Sequence, residues 1–182
     1  MSNVRQHLAS TALVVLVPEA EAAVSSVRAR FDPSAQLGVP AHVTLLFPFM
    51  PLSTISASVL ASLQALFAGF ASFSACFATV RRWPQEAYLA PESETPFIAL
   101  TRGIAARFPD YPPYEGRHSK IVPHLTIAQG SAAAAERGAE EVSAALAVSG
   151  PILATCTAAT LLENSSGVWK ALHTFPLAHR VA

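Results

Sequence analysis

The chain has 182 residues, and its 12 Lys and Arg against 12 Asp and Glu leave no formal net charge with only 13% of residues charged, about half the usual share. Long nucleic acids and anionic membrane surfaces are held largely by many Lys and Arg contacts, so this balance excludes them as expected partners and points to a small ligand. The 52% hydrophobic content excludes disorder as the global state and is ample for a sizeable core.

In chain order, Arg5, an apolar run over 8–17 and the small residues Ala20 and Ala22 imitate a secretion signal. The run is short, β-branched and closed by Pro18 and Glu19, so 13–17 is read as a first core strand and no targeting segment is expected. Pro18, Glu19 and Glu21 open a helix with Ala20, Val24, Val27 and Phe31 on its apolar face and Arg28 and Arg30 in its last turn. From 33 to 80 there is no Asp, Glu, Lys or Arg. This uncharged stretch holds a strand over 43–49, then a helix capped by Ser53 or Thr54, with Ile55, Val59, Leu63, Leu66 and Phe70 at helical spacing. Ser62, Gln64, Gly69, Ser72 and Ser74 interrupt its most apolar part, so no membrane span is expected. Residues 73–80 and 88–89 suggest a strand pair.

Thr95 and Pro96 start a helix carrying Phe97, Leu100, Ile104 and Phe108, and a Pro-rich loop over 109–123 leads to a strand over 125–129. Ser131 caps an Ala-rich helix reaching about residue 147, and 152–162 with 168–177 read as a hairpin around Asn164, Ser165, Ser166 and Gly167. Cys76 and Cys156 show no CxxC spacing, which fits free buried thiols, a reducing cytoplasm and no zinc ribbon. The class is α+β, and no low-complexity linker divides it, so 1–182 reads as one bilobal domain, expected to be a monomer.

The chemistry lies in an internal repeat. Val39-Pro40-Ala41-His42-Val43-Thr44-Leu45 is followed 82 residues later by Val122-Pro123-His124-Leu125-Thr126-Ile127. Residues two apart on a strand share a face, so each motif sets one imidazole beside one hydroxyl and turns Val43 or Leu125 away. By composition, roughly a third of one His-x-Thr match is due to chance. Context carries more weight: both copies follow a proline within two residues, sit on an apolar strand and precede a capped helix. Facing histidines suit in-line displacement at phosphorus, because a pKa near 6.5 lets one imidazole accept a proton while one imidazolium donates. His42 and His124 are the candidate acid/base pair, with either one eligible for either role. Thr44 and Thr126 are candidate donors to the non-bridging oxygens. No metal or other cofactor is expected, since the uncharged first motif has no further ligand nearby in sequence.

These paired motifs, about 80 residues apart in a chain of this size, resemble the 2H phosphoesterase superfamily, which includes the 2′-5′ RNA ligases and 2′,3′-cyclic phosphodiesterases. The segment Phe108-Pro109-Asp110-Tyr111-Pro112-Pro113-Tyr114 leading through Gly116 to the second motif is similar to its bacterial branch. The resemblance implies a duplicated two-lobed fold with antiparallel sheets lining a central cleft and helices outside. It also implies metal-independent hydrolysis or transesterification of cyclic 2′,3′ or 2′,5′ phosphodiester linkages in small nucleotides or RNA ends. A non-catalytic binder of RNA ends or a phosphorylated small molecule in the same cleft is the alternative.

Secondary candidates are weaker. Arg81, Arg82 and Trp83 end the uncharged stretch and read either as a cleft rim or as a strand end meeting solvent; Tyr88 is either a stacking ring or core. The loop with Tyr111, Tyr114, Arg117, His118 and Lys120 reads equally as a lid or a connector. His7, His173 and His179 match no motif. The absence of GxSxG and GxxxxGK[ST] disfavours serine hydrolysis and phosphate-loop binding.

Overall fold

The computed structural model describes residues 10–116 and 120–179. The β-branched, apolar strand β1 (Thr11–Leu16) is buried from Thr11 to Val15 because it has a neighbour on each side. It pairs antiparallel with β2 (His42–Leu46) and with β7 (Ala158–Glu163), and β8 (Lys170–Pro176) completes a sheet of order β2-β1-β7-β8. The second sheet is also antiparallel. Its order is β5-β4-β3-β6, from β5 (Leu125–Gln129), β4 (Glu86–Pro91), β3 (Phe73–Trp83) and β6 (Ile152–Cys156). The class is therefore α+β, as the pattern predicts. The lobes are not the two halves of the sequence, however, since both chain ends build the first sheet and the middle builds the second. One predicted strand is corrected: 152–162 is broken at Thr157, where the chain leaves one sheet for the other.

Helices α1 (Glu21–Phe31) and α5 (Ala132–Ser149) lie together against the second sheet, while α3 (Ala57–Phe67) packs with α4 (Thr95–Arg107) beside the first. Ser56, not Ser53 or Thr54, caps α3: its hydroxyl accepts from Val59 N, and 52–54 form a separate short turn. Ser131 caps α5 as predicted, through Ala134 N. Gly138 is where α5 meets β5, and a Cβ there would lie 2.6 Å from the Ala128 methyl. The motif-bearing strands β2 and β5 are edge strands of their own sheets and approach one another at the centre of the molecule.

Beside that junction lies a buried ion pair. Arg28 (2% exposed) and Asp32 (0%) sit 2.9 Å apart. Asp32 caps the short helix α2 (Pro33–Gln36) by accepting from Ser34 N, and it also accepts from the Ser34 hydroxyl and from Gln129 Nε2 on β5. Arg28 donates to the Val39 carbonyl, three residues before His42. Removing one member of such a pair strands the other in a dry site. Asp32→Ala is expected to cost about 3–5 kcal/mol, partly restored by adding Arg28→Met; a urea midpoint within error of wild type would refute that role. Gly138→Ala sets about 1 kcal/mol of helix propensity against about 1–3 kcal/mol of overpacking, and a net loss of stability is expected. Ala128→Gly is expected to relieve it. A raised Tm in Gly138→Ala alone would show that α5 has room to shift.

Candidate active site

Each motif is placed by the same local device. A β-strand alternates faces, so His42 and Thr44 turn to one side while Val43 is buried on the other, and His124 and Thr126 do the same around buried Leu125. Both register lines then slip by one residue directly after the threonine: Val14 pairs with Thr44 and Leu13 with Leu46, and Tyr88 pairs with Thr126 and Ala87 with Ala128. Each strand thus carries an extra residue, Leu45 or Ile127, so two consecutive apolar side chains enter the core. A bulge re-aims the side chains beyond it. The third residue after each threonine, Phe47 or Gln129, is thereby returned to the cleft.

His42, Thr44, His124 and Thr126 all line one cleft of about 390 Å³. The structure brings together all four sequence candidates. In both rings Nδ1 lies against the carbonyl two residues back, Pro40 O at 2.8 Å for His42 and Val122 O at 2.6 Å for His124. A carbonyl only accepts, so Nδ1 carries the proton and Nε2 is left for the cleft. Burial pushes the His42 imidazole down to about 4; the Arg28 and His124 charges add to this, while the Pro40 hydrogen bond and Asp32 oppose it. The His124 ring is braced instead by aromatic edges, with Trp83 at 4.9 Å and Tyr88 at 5.5 Å.

The threonines differ. Thr44 is exposed to the cleft, whereas Thr126 donates to Glu86 Oε1 at 2.6 Å, and that same oxygen is 3.7 Å from His124 Nε2. The floor and far wall are apolar, formed by Ala12, Val14, Val39 and Leu162, with Phe47 and Trp169 in edge contact at 5.7 Å. Among the described residues, no three His, Cys, Asp or Glu side chains gather closely enough to hold a metal ion.

Glu86, Gln129, Phe47 and Trp169 escape sequence reasoning. Simple alternation from Thr126 points Ala128 at the cleft, and only the bulge substitutes Gln129. Glu86 enters because it stands opposite Gln129 in register, a pairing that sequence spacing does not encode. The secondary candidates lie mostly outside the cleft. Tyr88 is buried and stacked on Trp83 at 4.3 Å, so it supports His124 from behind. Arg82 leans toward Glu136 at 3.9 Å, and neither it nor Arg81 lines the cleft. Tyr111 packs on Phe49 at 5.5 Å, the Tyr114 hydroxyl accepts from Val122 N, and Arg117 and His118 lie outside the described residues, as does His7. His173 stacks against Phe175, and it and His179 lie away from the cleft. Cys76 and Cys156 are free, and burial pushes the Cys156 thiol up to about 12. Among the described residues no helix is long and apolar enough to cross a membrane.

The chain superposes on TT0787 of Thermus thermophilus with a TM-score of 0.60 at 18% identity, covering 94% of this chain and 100% of that one. For E. coli LigT complexed with NADP+ the TM-score is 0.56 at 18% identity, with 93% and 97% covered. For LigT complexed with 3′-AMP it is 0.57 at 17% identity, with 94% and 99% covered. These likenesses establish the two-lobed fold. No curated protein matches by sequence. Residues 16–167, which include both His-x-Thr strands and the cleft between them, match the 2′-5′ RNA ligase superfamily, and the chain belongs to that superfamily of phosphoesterases.

Proposed function

We propose that the chain is a metal-independent phosphodiesterase that opens cyclic 2′,3′ or 2′,5′ phosphodiester linkages of small nucleotides or RNA ends, with His42 and His124 as its proton-transfer pair. One observation carries this reading: two His-x-Thr strands meet at adjoining sheet edges, each with Nδ1 tied to the carbonyl two residues back, so both Nε2 atoms serve one cleft. E. coli LigT, which shares the fold, has been crystallised with 3′-AMP and with NADP+, and a nucleotide-sized ligand suits a cleft of about 390 Å³.

His42 is the base. Burial keeps its ring neutral above about pH 4, so Nε2 is free to take a proton from the attacking water as the new P–O bond forms. His124 is the acid: with His42 held neutral it is the ring left to protonate the leaving ribose oxygen as that oxygen's bond to phosphorus breaks, and its Nε2 lies 3.7 Å from Glu86 Oε1. Thr44, exposed at the cleft, donates to a non-bridging oxygen as charge develops. Thr126 does so once it turns from Glu86. The apolar wall around Phe47 and Trp169 receives the nucleobase.

His42→Ala and His124→Ala are each expected to lower turnover of a 2′,3′-cyclic nucleotide by at least ~100-fold with an unchanged circular dichroism spectrum and no response of wild type to EDTA. Full activity in either variant would falsify the pairing, and ligand retained without product across pH 5 to 8 would favour the non-catalytic binder. The pH profile tests the assignment of roles. Since kcat/KM reports the free enzyme, its acid limb is expected to fall only as the pH drops through about 4, where His42 takes up a proton. Bound phosphate favours the imidazolium, so the acid limb of kcat is expected at higher pH than that of kcat/KM. Coincident limbs near 6.5 would remove the case for His42 as base.

A further inference from the structure

Glu86 is an awkward residue to find where a phosphate is to bind. Its side chain is 23% exposed, its Oε1 accepts the Thr126 hydroxyl proton at 2.6 Å, and the same oxygen is 3.7 Å from His124 Nε2. A hydroxyl has one proton to give. While Thr126 gives it to Glu86, a phosphate oxygen cannot receive it, so the carboxylate occupies the place of an anion on the second motif. No Lys or Arg is among the described residues lining the cleft, and of these residues only an imidazolium can offset the carboxylate. Gln129, opposite Glu86 in register, is turned toward Asp32. An entering phosphate therefore meets one fixed negative charge, and each further charge on the ligand adds to the repulsion at short range.

We infer that Glu86 sets the charge selectivity of the cleft, admitting a phosphodiester monoanion and rejecting a phosphomonoester dianion. This rests on the reading of the cleft as a phosphodiester site. Water adds to phosphorus, one P–O(ribose) bond breaks, His42 takes the water proton and His124 supplies one to the ribose oxygen. The product is a phosphomonoester that ionises a second time near pH 6. Above that pH the substrate carries one negative phosphate charge and the product two. The carboxylate that tolerates the first expels the second, which limits product inhibition. A 5′-phosphate close to the reacting group is disfavoured for the same reason.

The test compares two probes that are neither cyclic nor 2′,5′-linked and differ chiefly in charge, 2′-deoxyadenosine 3′-phosphate and its methyl ester, titrated calorimetrically at pH 8. Wild type is expected to bind the methyl ester at least 10-fold more tightly than the monoester. In Glu86→Gln the ratio is expected to fall to near one, mainly through tighter monoester binding. Glutamine keeps an oxygen to accept from Thr126, so a purely structural role for Glu86 predicts an unchanged ratio, and that outcome overturns the inference. A monoester preference in wild type overturns it as well. If neither probe binds wild type or Glu86→Gln, with both proteins folded by circular dichroism, the cleft is not a phosphodiester site and the inference falls with that reading. Binding of both probes with an unaltered ratio removes only the role of Glu86.

Discussion

The site depends on one buried carboxylate. Asp32 is the last charged residue before the uncharged stretch. It neutralises Arg28, caps α2 through Ser34 N, and accepts Gln129 Nε2 from the strand that carries the second motif. Arg28 in turn holds the Val39 carbonyl just ahead of the first motif. A single desolvated ion pair thus touches the approach to β2 and the end of β5, strands that belong to different sheets. Buried pairs of this kind are poor sources of net stability, since desolvation offsets much of their attraction. Their value here is positional. They also act on His42, whose ring feels both the Arg28 and the Asp32 charge.

The repeat is symmetric in sequence and asymmetric in surroundings. Both histidines carry the Nδ1 proton for the same reason, and both strands bulge after the threonine. Beyond that the copies part. The first motif looks onto apolar walls and an exposed threonine, and the second onto Glu86, Gln129 and the Trp83 edge. Identical motifs in identical settings would titrate together and compete for the same role. Different settings set them apart: burial holds the His42 ring neutral above about pH 4, while His124 lies beside the Glu86 carboxylate.

The features legible in the sequence are those set by local forces. Strand alternation placed His42 with Thr44 and His124 with Thr126, and capping chemistry placed the start of α5 at Ser131. Sheet membership was not legible, because residues 152–162 look like one strand until Thr157 passes the chain between sheets. The bulges were not legible either. Leu45-Leu46 and Ile127-Ala128 are apolar pairs that break the period-2 pattern in each motif, yet a run of apolar residues is equally what a strand buried on both faces shows. Only pairing with a neighbouring strand reveals the extra residue, and with it the reason that Gln129 and Phe47 reach the cleft while Ala128 does not.

The scarcity of charge, which argues against long polyanions, has a second consequence inside the cleft. With Glu86 the only fixed charge among the described lining residues, what those residues can offer the proposed phosphodiester comes from hydroxyls and from an imidazolium. Proton transfer needs the opposite as well, an imidazole that is not yet protonated. In the proposed reaction binding and chemistry therefore draw on the same two rings, and only the mixed state with one ring charged serves both. Two protonated rings hold the anion but lack a base, and two neutral rings lack both the acid and the attraction. In the proposed mechanism, the burial that holds His42 neutral above about pH 4 sets up the base before a ligand arrives, and the Glu86 carboxylate 3.7 Å from His124 Nε2 gives the second ring a different setting from the first.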